Sequence, residues 1–191
     1  MTNLLTLFIS AAIINNIILS KFLGMCPFLG VSKNSSSAIG MGAAVTFVIF
    51  FSSIITYGLY YAVLEPLNIE YMQLITFILV IATFVQLVEM IVKKYSPTLY
   101  KSLGIYLPLI TTNCAVLYVA QQNIALGYDF VEMIVYSIAV PVGFTLVIFI
   151  FSKIRERLLA ANVPNSFKGN PISLIVAGLM ALAVSGLAGL V

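Results

Sequence analysis

The fold is decided by an apolar stretch near the start of the chain, LLTLFISAAIINNIILSKFLGMCPFLGV, which covers residues 4–31. It is longer than the roughly 20 residues that one helix needs to cross a bilayer, and it is too short for two crossings. Gly24, Pro27 and Gly30 lie in its second part, where they disfavour a continuous helix. Its main polar interruptions are Ser10, Asn15, Asn16, Ser20 and Lys21. The stretch therefore predicts a segment that enters the membrane and is broken inside it.

The composition of the whole chain also indicates that the protein is embedded in lipid. Of 191 residues, 62% are hydrophobic and only 8% are charged, and the mean hydropathy is +1.14. Soluble domains carry about 25% charged residues, so a soluble fold of this length could not hide this much apolar surface. The net charge of +3 is small, and the basic residues form no patch typical of a nucleic-acid-binding protein. The first apolar run lacks a positive leader and an A-x-A cleavage site, so we expect it to be kept as a helix.

Apolar stretches separated by charges and turn residues predict the membrane spans. Most are close to the ~20 residues required to cross a hydrocarbon layer about 30 Å thick. The connections between them are short, which leaves no room for an inserted soluble domain. We therefore predict an all-α membrane protein with six transmembrane helices, at residues 4–20, 38–64, 71–92, 103–120, 130–152 and 171–191.

The charged residues predict the orientation. The sequence assigns all nine basic residues to one side and four acidic residues to the other. Under the positive-inside rule the basic side is cytoplasmic, so both termini face outward. The run from Arg155 to Arg157 is interpreted as a solvated cytoplasmic face, with the docking of a partner as the alternative. The basic residues are Lys21, Lys33, Lys93, Lys94, Lys101, Lys153, Arg155, Arg157 and Lys168, and the acidic ones are Glu65, Glu70, Asp129 and Glu132.

The six spans divide into two halves of three, residues 1–97 and 98–191. An odd number of spans in each half means that the second half enters the membrane from the opposite face. The sequence VTFVIF at 45–50 resembles FTLVIF at 144–149, and Leu74, Ile75 and Leu79 match Leu174, Ile175 and Leu179. These offsets of 99 and 100 nearly agree. We therefore predict two inverted three-helix repeats with broken first helices, an architecture in which sites lie near the midplane.

Each broken first helix contains one of the two cysteines, Cys26 and Cys114, the latter downstream of Gly104 and Pro108. Interrupted segments at corresponding places in two repeats point to a functional site, and their open backbone must be covered by protein or water. The residues alone leave three interpretations: small buried hydrophobic side chains, a disulfide, or metal ligands. The flanking motifs do not favour a disulfide. A [2Fe–2S] cluster needs four ligands, so in a chain without histidine two more thiols would have to come from another chain.

Other candidate functional residues have weaker support, and motifs for several cofactors are absent from the sequence. Glu89 is a carboxylate within a predicted span, which is typical of an ion site, but Lys93 follows at the spacing of a helical ion pair. Asn15, Asn16 and Asn113 could cap half-helices or bond to cluster sulfurs. The chain has no dinucleotide-binding glycine motif, no C-x-x-C run and no flavin-attachment motif, so we expect it to bind neither NAD nor flavin. Two functions remain open, that of a redox-inert secondary transporter and that of an electron carrier within an oxidoreductase complex.

Three long motifs carry a resemblance to a known family. The segments KFLGMCPFLGVSK at 21–33, LGIYLPLITTNCAV at 103–116 and IRERL at 154–158 resemble the A subunit of Rnf complexes, as do Val163-Pro164 and the ending at 177–180. A sister family, the E subunit of the sodium-pumping NADH:quinone reductase, is similar around both cysteines. There a Glu-Asn pair replaces Asn-Asn, and proline does not usually follow the first cysteine. Asn15, Pro27 and Thr112 favour the Rnf family.

The resemblance implies a function. Rnf complexes pass electrons between ferredoxin and NAD and couple this to movement of Na⁺ or H⁺ across the cytoplasmic membrane of bacteria or archaea. It implies that Cys26 and Cys114 hold half of a [2Fe–2S] cluster, whose other half belongs to the paralogous E subunit. The B, C, D and G subunits are the further partners implied. The residues expected around the cluster are Asn15, Asn16, Gly24, Pro27, Thr112 and Asn113.

Overall fold

Every regular element of the described chain is helical, which confirms the predicted all-α class for that part of the protein. The structure is a computed structural model, and it describes residues 4–32, 35–67, 70–95, 109–110, 112–159, 164, 167 and 169–186.

The first broken segment consists of three short helical pieces. They are α1 (Leu4–Ile9), continued by a π-helical turn (Ser10–Ile14), α2 (Ile17–Lys21) and α3 (Met25–Val31). The longer helices that follow are α4 (Ser35–Leu59), extended by a π-helical turn (Tyr60–Leu64) and a short turn (Glu65–Leu67), and α5 (Gln73–Tyr95), preceded by a 3₁₀ turn (Glu70–Met72). The remaining elements are α6 (Cys114–Ala125), α7 (Phe130–Leu159) and α8 (Asn170–Ser185).

Three helices of the described chain are long and apolar enough to cross a membrane, and they confirm three predicted spans. They are Ser37–Leu64, Gln73–Ile91 and Phe130–Leu158. The predicted first and last spans correspond to shorter apolar helices, Leu4–Ile14 and Asn170–Ser185. Most of the first half of the predicted fourth span, with Gly104 and Pro108, lies outside the described residues. The count of six spans therefore stays a prediction.

Helices α4 and α7 form the central antiparallel pair. Their contacts run in opposite directions along the two helices, with Gly42 against Thr145 and the ring of Tyr57 against that of Phe130, whose centroids are 6.1 Å apart. A Cβ atom on Gly42 would lie 2.5 Å from Thr145 Cγ2, so glycine is required for this close approach. The packing of α7, which holds part of the candidate site, therefore depends on a small residue in α4.

The positions paired across α4 and α7 include two that are separated by the offset of the matching sequences. Extending the pairing of Gly42 with Thr145 brings residues 44 and 143 opposite each other, and these positions are 99 apart, as are the matching sequences. The two threonines that match at this offset, Thr46 and Thr145, also make the same bond. Each hydroxyl donates to the carbonyl four residues earlier, at 2.7 Å and 2.8 Å. Thr56, Thr76 and Thr83 make the same bond, so this likeness does not test the repeat. The superposition of the two halves stays a prediction.

The segment with α1, α2 and α3 crosses alongside α7 and in the same direction. The carbonyl oxygen of Ala12 lies so close to Gly143 that a Cβ there would overlap it, and Gly24 contacts the neighbouring residue of α7. Ala12 and Gly24 therefore lie at the same height along α7. The residues between them leave this height and return to it, so they add nothing to the length that the segment spans. The pieces on either side, 4–12 and 24–32, supply 18 residues, or about 27 Å at 1.5 Å per residue, close to a bilayer's ~30 Å.

This excursion corrects one topology assignment. Lys21, at the end of α2, lines a cavity of about 220 Å³ together with Leu126 and Tyr128, which belong to the loop between α6 and α7. That loop is at the opposite end of α7 from Lys153 and Arg157. The prediction that all nine basic residues lie on one side is therefore wrong for Lys21. The physical reason is that α2 folds back from the break instead of continuing across the membrane.

Candidate functional site: two thiols at two helix breaks

The two broken segments meet where the backbone of Gly24 contacts Cys114. The N–H of Gly24 donates a hydrogen bond to Cys114 Sγ over 3.1 Å. Cys26 follows Gly24 by two residues, so their Cα atoms are separated by at most about 7 Å. The two cysteines are 88 positions apart in the sequence and are brought into one neighbourhood by the fold.

The meeting point is halfway along the longest helix. Gly24 packs against Phe144, where a Cβ on the glycine would lie 3.0 Å from Cε2 of the ring. In α7 this phenylalanine is 14 residues from Phe130 and 15 from Leu159, which corresponds to roughly 21 Å and 22 Å of helix on each side. The thiol neighbourhood therefore lies halfway along a helix that is long and apolar enough to cross a membrane.

Glycine at position 24 is required by its backbone. Its φ of +79° is in the left-handed region, which glycine adopts without a steric penalty. Phe22, two residues earlier, also has a positive φ, of 54°, and caps the end of α2. A side chain on Gly24 would meet Asn113 Oδ1 at 3.3 Å in addition to the Phe144 ring. The sharp turn that presents its N–H to Cys114 therefore needs a residue without a Cβ.

Asn16 and Asn113 cap the half-helices that follow each break. Asn16 (φ −60°, ψ 123°) accepts from the N–H of Ile18 at 3.2 Å, and Asn113 (φ −70°, ψ 111°) accepts from the N–H of Ala115 at 3.0 Å. These shared dihedrals and bonds are those of an asparagine N-cap. Each asparagine therefore has a structural role in starting a helix.

The two caps differ in their amide nitrogens. Asn16 Nδ2 donates to the carbonyl of Ala12 at 3.0 Å. Asn113 Nδ2 is buried and has no partner among the described residues. A buried donor that lacks an acceptor costs about 1–3 kcal/mol. Asn113 directly precedes Cys114, so this donor is available to a group held by the thiol.

The other residues expected around the site are distributed unevenly. Pro27 is buried in the first turn of α3, where its missing N–H breaks no helical bond. Thr112 is exposed and precedes the Asn113 cap. Asn15 is exposed, and its amide nitrogen donates to Ser10 Oγ at 3.2 Å. Glu89 is partly buried near the end of α5, and its role as an ion site stays a prediction.

Both thiols are free and exposed on the surface of the chain. This argues against a disulfide and against small buried side chains, two of the three interpretations left open by the residues. Among the described residues, no group of three or more cysteines and carboxylates is placed to hold a metal ion. The chain therefore presents two free thiols in one neighbourhood, and a role for them as metal ligands stays a prediction.

A basic residue, Lys21, lies in the same segment as Cys26. Lys21 precedes Gly24 by three residues, which limits the distance between their Cα atoms to about 11 Å. The cavity that Lys21 lines is otherwise rich in neutral polar side chains, including Gln122, whose amide nitrogen donates to the Tyr118 hydroxyl at 2.8 Å. Burial raises the pKa of the Tyr128 phenol above its ordinary value, with a further contribution from the carboxylate of Glu132. The Tyr128 phenol in this cavity therefore stays neutral.

The structure also reveals a buried arginine that contacts the Cys26 segment. Arg155 is only 7% exposed. Its Nη1 donates to the carbonyl of Leu29 at 2.8 Å and to Ser32 Oγ at 2.9 Å, and its Nη2 donates to Asn170 Oδ1 at 3.4 Å. The interpretation of this run as a solvated face is therefore wrong for Arg155, because its guanidinium satisfies acceptors inside the protein. Arg157 is exposed, as that interpretation expects.

The spacing of the residues before Arg155 is a sequence signal for its burial. Ile148, Phe151 and Arg155 follow one another at intervals of three and four residues, and all three are buried. That spacing marks one face of a helix. Arg155 therefore continues the buried face of α7, whereas its charge suggested a surface position.

Comparisons with known proteins extend over the whole chain. A protein-family model described as "Rnf-Nqr subunit, membrane protein" matches residues 4–191. A relative from Syntrophotalea carbinolica, named as the A subunit of an "ion-translocating oxidoreductase complex", is 57% identical over 100% of this chain and 99% of its own. A relative from Acetobacterium woodii, named as the A subunit of a "Na(+)-translocating ferredoxin:NAD(+) oxidoreductase complex", is 56% identical over 98% and 97%. A third, from Aliivibrio fischeri, shares the first name and is 55% identical over 100% and 99%. The chain therefore belongs to the Rnf-Nqr family of membrane subunits.

Proposed function

We propose that this chain is the electron-carrying membrane subunit of an ion-translocating ferredoxin:NAD oxidoreductase complex. Family membership and the names of its relatives support the broad role of a membrane subunit in an ion-translocating oxidoreductase. The observation that carries the finer proposal is the hydrogen bond from Gly24 N–H to Cys114 Sγ. This bond joins the two cysteine-bearing breaks at the middle of a membrane-spanning helix.

In this proposal Cys26 and Cys114 supply two of the four ligands of a [2Fe–2S] cluster. The other two thiolates come from the paralogous E subunit, packed against the surface on which both thiols are exposed. This chain has no histidine, so it cannot itself supply the imidazole ligands of a Rieske-type set. Two exposed thiols that would otherwise face lipid support a partner at this surface.

The residues around the thiols fit such a cluster. Hydrogen bonds to the sulfurs are among the factors that set the potential of an iron–sulfur centre. Gly24 N–H already donates to Cys114 Sγ, and Asn113 Nδ2 is a buried donor with no other acceptor in the described part of the chain. When bound, the cluster would accept one electron and pass it on. The chain's own residues hold the thiolates, donate to sulfur and exclude water.

Exclusion of water and fixed geometry follow from the packing at the break. The Phe144 ring covers Gly24, and the left-handed turn at Gly24 points its N–H at Cys114. The cap at Asn113 starts α6 directly at the thiol. A site fixed in this way needs little rearrangement when its charge changes, because its dipoles are already oriented.

The remaining chemistry belongs to partners. This chain carries no dinucleotide motif, so we assign ferredoxin, NAD and flavin chemistry to the B, C, D and G subunits of the complex. In the full reaction NAD⁺ takes up two electrons and one proton, and we assign this step to those partners. One relative is named as Na⁺-translocating. We therefore propose Na⁺ or H⁺ as the coupled ion, with Glu89 as a candidate site in a cytoplasmic membrane where both termini face outward.

The alternative, the E subunit of the sodium-pumping NADH:quinone reductase, has weaker support. The relatives compared above are named as A subunits of ion-translocating complexes, and the chain keeps Asn15, Pro27 and Thr112.

Thiol-to-hydroxyl substitution tests the proposal in the purified complex. Cys114→Ser keeps an acceptor for Gly24 N–H but removes the thiolate, and Cys26→Ser does the same at the other ligand. Each variant should lose one [2Fe–2S] signal from the electron paramagnetic resonance spectrum of the reduced complex, together with ferredoxin-linked NAD reduction. Insertion and assembly should be retained, as judged by native electrophoresis. A full-strength signal in both variants would show that the cluster is held elsewhere.

A further inference from the structure

We propose that Arg155 is the positioning residue for Cys26: it fixes the far end of α3, the short helix that carries this cysteine at its start. The geometric part of this inference does not depend on a cluster. The redox part rests on the proposed function.

The contacts of Arg155 satisfy groups that α3 cannot satisfy itself. The last four carbonyls of a helix have no intrahelical partner. The carbonyl of Leu29 is one of these in α3, and it accepts from Arg155 Nη1 at 2.8 Å. The same nitrogen donates to Ser32 Oγ, at the residue that ends the helix. Bonds from a charged donor are roughly twice as strong as neutral ones, so the end of α3 is attached to α7.

Helix α3 depends on such attachments because it is short. It has seven residues, so the carbonyls without an intrahelical partner are a large share of its backbone groups, and inside a membrane they need partners from the protein. It is held at its start by the bond from Gly24 to Cys114 and at its end by Arg155. Between these ends the ring of Phe28 stacks on that of Phe151, with centroids 4.2 Å apart. The direction of α3, and with it the position of Cys26, is therefore determined by α7.

The third bond of the guanidinium extends this support to another helix. Nη2 donates to Oδ1 of Asn170, the first residue of α8. Helix α8 also flanks α2 across a groove lined by Leu19 and Phe22. Helix α2, before the Gly24 turn, therefore lies beside α8, and α3, after the turn, is bonded to α7. Arg155 connects α7 to α8. One buried side chain thus links the Cys26 segment to two helices.

This role requires arginine, and the chain offers a matched control. Lysine has a single point of charge and lacks the planar fork that lets one side chain reach several acceptors in fixed directions. Arg157 lies two residues further along the same helix and is exposed. Replacing either arginine by methionine removes one positive charge at a similar depth, so a difference between the two variants reports on contacts and not on charge.

Thiol cross-linking measures the position of Cys26 directly. The full chain in membranes, with its thiols free, is treated with a short bis-methanethiosulfonate reagent that bridges Cys26 and Cys114. We expect Arg155→Met to lower the bridging rate several-fold, Arg155→Lys to lower it less, and Arg157→Met to leave it at the wild-type value. Equal rates in Arg155→Met and Arg157→Met would overturn the inference. If Arg155→Met fails to insert, Ser32→Ala decides in its place: a lowered rate supports the inference and an unchanged rate overturns it.

The reduction potential gives the second measurement, in the assembled complex. Arg155→Met should shift the midpoint potential and broaden the resonance of the shared cluster relative to Arg157→Met. A wild-type complex without a cluster at Cys26 would refute the proposed function and leave the cross-linking result valid. A normal wild-type cluster that responds equally to both substitutions would refute only the positioning role.

Discussion

Replacing Gly24 by alanine should damage the thiol site more than any comparable change at another turn glycine. The perturbation has two parts. Placing a Cβ on a residue in the left-handed region costs about 1–2 kcal/mol, and Gly24 has a φ of +79°. The new Cβ would also lie 3.0 Å from the Phe144 ring and 3.3 Å from Asn113 Oδ1, and crowding of this kind costs about 1–3 kcal/mol. The expected total is about 2–5 kcal/mol.

Two glycines separate these contributions. Gly127 has a φ of +61° and open space around it, so Gly127→Ala carries only the backbone cost of about 1–2 kcal/mol. Gly30 in α3 has no positive φ, and a Cβ there would make an ordinary contact at 3.7 Å with Leu109. Gly30→Ala should therefore be nearly neutral or stabilising.

The assay is unfolding of the chain in mixed micelles with increasing SDS, combined with iron content of the purified complex. Gly24→Ala should lose about 1–3 kcal/mol more stability than Gly127→Ala, because only the former adds crowding. It should also reduce iron per complex, since the turn that points the Gly24 N–H at Cys114 is displaced. Equal stability losses in the two variants, with normal iron content in Gly24→Ala, would refute this account of the break.

Further tests address other parts of the account. Gly143→Ala should lower the free energy of unfolding by about 2 kcal/mol or more, because the new methyl group overlaps the backbone carbonyl of Ala12. Gly178 has open space around it, so Gly178→Ala should be neutral or stabilising by up to about 1 kcal/mol. Equal free energies of unfolding in the two variants would contradict the packing of α7 on the first segment. Asn113→Asp keeps the cap on α6 but removes the Nδ2 donor, so the cluster potential should shift while helix content by circular dichroism is retained, and an unchanged potential would remove Asn113 from the cluster's surroundings. Reporter fusions after Ala125 should be active outside the cell and those after Tyr95 inside, and the reverse pattern would overturn the predicted orientation.

Membrane residence and the positions of the breaks could be predicted from the sequence because both follow from local chemistry. Apolar content over about 20 residues determines which segments enter lipid. Asparagine, glycine and proline determine where a helix starts or stops through their own backbones. The breaks at Asn16, Gly24 and Asn113 lie where these residues occur in the first and fourth apolar stretches.

The path between the breaks could not be predicted, because it depends on packing between distant residues. The contacts of Ala12 and Gly24 with adjacent positions of α7 show that α2 is an excursion, and no local signal in residues 4–31 encodes them. The positive-inside rule counts residues along the chain. This rule therefore assigns Lys21 to the same side as the other basic residues. In the structure, α2 brings Lys21 to a cavity that it shares with the loop between α6 and α7.

The sequence gives the wrong environment for Arg155 for a related reason. A charged residue at the end of an apolar span is most often solvated, and its neighbours Glu156 and Arg157 are exposed. Its burial depends on acceptors supplied from far away in the sequence, by Leu29 and Asn170. Only the three-dimensional arrangement brings a helix end to the guanidinium.

Iron located in an experimental map of the intact complex tests the central claim most directly. Anomalous diffraction at the iron edge, or an electron cryomicroscopy map, shows what lies between the sulfurs of Cys26 and Cys114. We expect iron near mid-membrane, bonded to both sulfurs at about 2.3 Å, a distance like that of zinc–thiolate bonds. Two thiols of a paralogous chain should complete the cluster. Two sulfurs on opposite membrane surfaces, or a mid-membrane contact without iron in a redox-active complex, would contradict it.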